Sequence, residues 1–131
     1  MLKALKVVMT VYVVVHVLLG LIDITMHDFM ATLLRISDVP SYVNWMEEVT
    51  GAIFIALGVW IAIAARDPIQ HIRWVKFAIT ASSLILIVSV HSILAGYVEF
   101  SQVAISIVVP VIFVVALLVC YPWRLARRGE Q

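Results

Sequence analysis

Leu5–Met26, LKVVMTVYVVVHVLLGLIDITM, decides the architecture, with Lys6 and Asp23 as its only formal charges. A hydrocarbon core of about 30 Å takes about 20 helical residues to cross, so this run predicts a membrane helix. Three further runs meet the same requirement: Trp45–Ala65, Trp74–Tyr97 and Phe100–Trp123. The whole chain agrees, at 64% hydrophobic and 13% charged residues with a mean hydropathy of +1.12, far from soluble domains. The expected fold is an all-α integral membrane protein, a four-transmembrane-helix bundle forming one domain over the 131 residues.

Basic residues near membrane ends stay on the cytoplasmic side. Lys3, Lys6, Arg66, Arg73, Lys76, Arg124, Arg127 and Arg128 cluster at one side of the four spans, and Arg35 alone falls on the other. Asp23, Asp28, Asp38, Glu47, Glu48 and Glu99 gather on that opposite side. Both termini are therefore expected to be cytoplasmic and the outer face acidic. The formal net charge of +1 hides this split and does not point to nucleic acid; the basic rim suits anionic lipid headgroups. Val7–Ile22 would also serve as a signal-peptide core. It ends in Asp23-Ile24-Thr25-Met26, without the small residues a cleavage site uses, so the first helix is expected to be retained. Cys120 is the one cysteine, which excludes an intramolecular disulfide and dithiol redox chemistry and leaves a small packing residue.

Helix ends have local causes. Asn44 and Glu47 have capping-box spacing, which predicts a start at Asn44 for the second helix. Asp67-Pro68 should stop it, because the residue before proline is pushed out of the α region. Tyr121-Pro122-Trp123 should end the fourth helix. Phe29–Ile36 is expected to extend the first helix or lie on the outer surface, with a break around Ser37–Ser41. Ala78, Ser82, Ser89, Ser92 and Gly96 share one face of the third helix, as do Gly51 and Gly58 on the second, and small residues mark close helix packing. Pro110 deprives Ser106 of its backbone partner and should bend the fourth helix, for packing or to open space beside Ser106 and Gln102.

Ionisable groups are costly inside a bilayer, so those within the spans define the candidate site. At about 100° per residue, His16, Gly20, Asp23 and His27 fall within about 60° of one another on the first helix. Counting about 1.5 Å per residue from the basic side puts Asp23 near 25 Å, His27 near 31 Å, Glu47 near 27 Å, His91 near 22 Å and Gln102 near 29 Å. His16 falls near 15 Å and Ser106 near 23 Å. Asp23, His27, Glu47 and His91 are thus the candidate acid–base residues of an outer layer. Gln102, Ser106, Tyr12 and His16 are candidate ligand contacts, with Tyr12, one turn before His16, its nearest hydrogen-bond partner. Glu47 shares a face with Gly51, Phe54 and Gly58 and is preferred over Glu48 as the inward group. His91 lies on the side of its helix away from the small-residue stripe. A structural Asp23–His91 pair between helices has equal standing with a functional site.

A histidine beside a carboxylate can move a proton, so the layer suits binding, or acid–base chemistry on, a lipophilic ligand. The same groups suit a divalent metal. Haem held by His16 and His91 fits less well, since the two differ by about 7 Å in depth. The alternatives are a non-catalytic small subunit of a larger membrane complex and a small proton-coupled transporter acting as a homo-oligomer. In size and helix number the chain resembles the small multidrug exporters, whose first helix carries a membrane-embedded glutamate where this chain has His16 and Asp23. Its His and acidic groups resemble those of four-helix sterol-isomerase-like proteins. No motif matches either family residue by residue.

Overall fold

The computed structural model describes residues 2–26, 32 and 41–123, and all four of its long elements are helices: α1 (Leu2–Thr25), α2 (Ser41–Arg66), α3 (Ile72–Leu94) and α4 (Phe100–Cys120). Each is long and apolar enough to cross a membrane. His27, Arg35, the Asp38–Pro40 turn and the basic residues after Trp123 lie outside the described residues, as does Phe29–Ile36 apart from Thr32.

α2 begins one turn earlier than the Asn44 capping box predicts, so Asn44 is inside the helix rather than its cap. α2 stops where expected, and the Asp67 carboxylate accepts the backbone N–H groups of Ile69 and Gln70, each at 3.2 Å. α3 ends at Leu94, short of the predicted Tyr97, because Gly96 adopts φ +73° and Tyr97 N–H turns back to the Ser92 carbonyl. Gly96 is therefore a capping glycine. Exposed and outside the helix, it does not belong to the packing stripe in which the sequence places it. α4 stops at Cys120 because Tyr121, before Pro122, is extended at ψ 131°.

Contacts run α1 to α2, α2 to α3, α3 to α4 and α4 back to α1, which makes a four-helix bundle. The α1/α2 and α3/α4 pairs are by far the most extensive. Gly20 and Gly51 explain the first: a Cβ on Gly20 would sit 2.5 Å from the Gly51 carbonyl oxygen, and one on Gly51 would sit 2.6 Å from that of Gly20. Only glycine allows two helix backbones so close. Ala78, Ser82 and Ser89 are buried on α3, as the stripe predicts.

The core lies toward one end. Leu5 and Met9 of α1, Ile61 and Ala64 of α2, Val75 of α3 and Leu117 of α4 are fully buried there, where α1 starts and α4 stops. Outward-facing apolar residues such as Val14, Leu18, Leu84, Val88 and Val119 are exposed along the spans, the surface expected to meet lipid.

Candidate functional site

Beyond that sealed end the bundle encloses a cavity of about 330 Å³. His16, Leu19, Ile22 and Asp23 of α1, Thr50 and Phe54 of α2, Ser82 and Ile85 of α3, and Gln102, Val103, Ser106, Val109, Pro110 and Phe113 of α4 line it, together with Ile105. The volume is at the lower end for small-molecule sites, and a mostly apolar wall with a few convergent polar groups is their usual composition.

His16 anchors the deep part and is 5% exposed. Its Nδ1 lies 2.9 Å from the Tyr12 carbonyl oxygen. A carbonyl can only accept, so Nδ1 carries a proton, and when the ring is neutral Nε2 is the acceptor. Three rings hold the imidazole in place. Tyr12 stacks on it at 3.8 Å between centroids, Phe54 meets it edge-on at 5.5 Å, and Phe113 lies tilted at 6.0 Å. The partnership expected between Tyr12 and His16 therefore exists, through the Tyr12 backbone and ring rather than its hydroxyl. That hydroxyl instead accepts from Ser82 on α3 at 3.4 Å.

Asp23, 6% exposed, and Gln102 lie toward the other end. Asp23 is seven residues from His16, about 10 Å along the helix. The Glu99 backbone N–H donates to Gln102 Oε1 at 2.8 Å. This fixes the amide: its oxygen is engaged at the helix start, and its NH2 is left as a donor. Thr50 donates its hydroxyl proton to the Met46 carbonyl at 2.8 Å, so toward the cavity its oxygen can only accept. The Ser106 carbonyl, which Pro110 leaves without its helical donor, has the Ser89 hydroxyl 3.5 Å away, a contact secondary to the 2.9 Å bond from Ser89 to Ile85.

The structure thus brings His16, Asp23, Gln102 and Ser106 to one cavity, with Tyr12 behind His16. It does not bring His91 or Glu47 to that wall. His91 is exposed on α3, beside the Tyr97 ring at 6.4 Å, and Glu47 is half-buried near the start of α2. With the stripe of Ala78, Ser82 and Ser89 turned into the bundle, the opposite side of α3 carrying His91 has to face out. Asp23 and His91 do not share the cavity, and neither do His16 and His91, the pair considered for haem. Among the described residues no three of His, Cys, Asp and Glu come together as a metal-binding group. His27 lies outside the described residues.

Sequence reasoning left out Thr50, Phe54, Ser82 and Phe113 as cavity residues, and offered Pro110 only as a bend made for packing or to open space beside Ser106 and Gln102. Phe54 and Thr50 had a signal, since both lie within about 60° of Glu47 on α2. Ser82 was legible only as a packing residue; its place under Tyr12 depends on how α1 and α3 approach.

Compared with known proteins, the chain matches no family model, no curated protein and no solved structure.

Proposed function

We propose that this chain is a small multi-pass membrane protein, with both termini cytoplasmic, that binds a lipophilic small molecule in the cavity of its outer half. The observation that carries the reading is the cavity itself: about 330 Å³ of mostly apolar wall, with His16, Asp23, Gln102 and Ser106 at separate points on it. Its opening supports the same reading. Thr50, Ile105 and Ser106 line the cavity and are exposed, yet each lies about 7 Å or more inside its helix rather than at an end, so access is through the side of the bundle. A ligand dissolved in the bilayer would enter there without crossing water.

Any acid–base step on the bound molecule falls to His16 and Asp23, the titratable side chains on the wall among the described residues. The experiment is photolabelling in lipid nanodiscs with a diazirine-bearing fatty alcohol, mapped by peptide mass spectrometry. Saturable labelling of Ile22, Val103, Val109 and Phe113 is the expected result. Labelling confined to outward residues such as Leu84 and Val119, and growing linearly with probe, would overturn the reading.

A further inference from the structure

We infer that the cavity selects a neutral lipid bearing a hydroxyl group, which donates its hydrogen to Nε2 of His16. The inference rests on the proposed binding site and names its ligand class. His16 is 95% buried by its 5% exposure, and its one hydrogen bond among the described residues uses Nδ1. The Tyr12 carbonyl favours the proton on Nδ1, and the stacked Tyr12 and edge-on Phe54 pack against the ring in that orientation. Nε2 is left with a lone pair in a wall that is mostly aromatic and aliphatic. A ketone, quinone or ester would bring oxygen lone pairs to this nitrogen and leave both unsatisfied. A hydroxyl brings the missing donor.

The outer part of the cavity completes the selection. The NH2 of Gln102 is committed as a donor by the Glu99 backbone, and Ser106 adds a hydroxyl able to donate or accept. A second oxygen on the ligand would be received there, about 8 Å (Ser106) to about 14 Å (Gln102) beyond His16 in depth by the helix rise. The remaining alkyl or prenyl chain leaves through the side opening past Ile105 into lipid.

The test uses the full chain, labelled with ¹⁵N-histidine, in phosphatidylcholine nanodiscs, with 1-dodecanol and its methyl ether added to equal mole fractions in the lipid. Before addition, the His16 spectrum should be that of an imidazole protonated on Nδ1. Dodecanol should shift the Nε2 resonance and saturate at about tenfold lower mole fraction than the ether saturates cavity methyl groups such as those of Ile85 and Val109. His16→Phe, which keeps a ring in the stack, should erase the difference between the two probes. Protonation on Nε2, or equal binding of alcohol and ether by the wild-type chain, would overturn the hydroxyl assignment and leave the lipophilic site intact. Binding of neither probe would overturn both.

Discussion

Pro110 and Ser89 show how single residues adjust the inside of an apolar bundle. Pro110 has no N–H for the Ser106 carbonyl, and the Ser89 hydroxyl on the neighbouring helix lies 3.5 Å from that oxygen. In Pro110→Ala the carbonyl regains a helical donor, so Ser89→Ala should cost more in the wild-type chain than in the Pro110→Ala background. The expected coupling is about 0.5–1 kcal/mol, measured by a double-mutant cycle of reversible unfolding in detergent. Equal costs in both backgrounds would show that Ser89 serves only its own helix through Ile85. Elsewhere hydroxyls are self-sufficient: Thr10, Thr25, Thr50, Thr80 and Ser83 each bond a carbonyl four residues back. Those groups can lie on an apolar helix without recruiting a partner.

At the level of elements, α1 and α2 act as one unit because Gly20 and Gly51 let their backbones touch. A methyl group at either position meets a backbone oxygen, which cannot turn aside as a side chain can. Gly20→Ala and Gly51→Ala should each destabilise by about 1–3 kcal/mol through overpacking. Gly58→Ala should cost less, since its nearest obstacle is Val17 Cγ2 at 2.6 Å, a side-chain atom, and the nearest backbone oxygen, that of Val13, is 3.7 Å away. Thermal or denaturant unfolding of the three variants in one detergent checks the order; Gly58→Ala as the worst would contradict it. The helices themselves were legible because length and hydropathy suffice for a span, and so was the stop at Asp67-Pro68, which depends on neighbours in sequence. Gly20 read as one position on a polar face, and its role as a backbone contact needed the facing Gly51. His91 was placed opposite the α3 stripe by periodicity alone. That it points out follows only once the stripe is known to be buried.

For the whole molecule, the bundle is packed tightly at one end and hollow toward the other. Leu5, Met9, Ile61, Val75 and Leu117 seal the first, while His16 marks where the hollow begins. Lys3, Lys6, Arg66, Arg73 and Lys76 lie at the sealed end, so the positive-inside rule predicts that this end faces the cytoplasm. In a Cys120→Ser background, Lys3→Cys and Gln70→Cys should be protected from a membrane-impermeant maleimide added to intact cells, and Tyr97→Cys should react. The reverse pattern would invert the bundle and put the hollow end in the cytoplasm.

That the hollow end is a binding site is the central claim. Its most direct test is competitive photolabelling of the wild-type chain and Ser106→Trp, which sets a large ring at the cavity wall, in matched nanodiscs. Labelling of Val103, Val109 and Phe113 by the diazirine alcohol should saturate, be displaced by excess dodecanol, and fall at least about tenfold in Ser106→Trp while labelling of Leu84 and Val119 stays constant. Cavity labelling that neither saturates nor responds to Ser106→Trp would contradict the account.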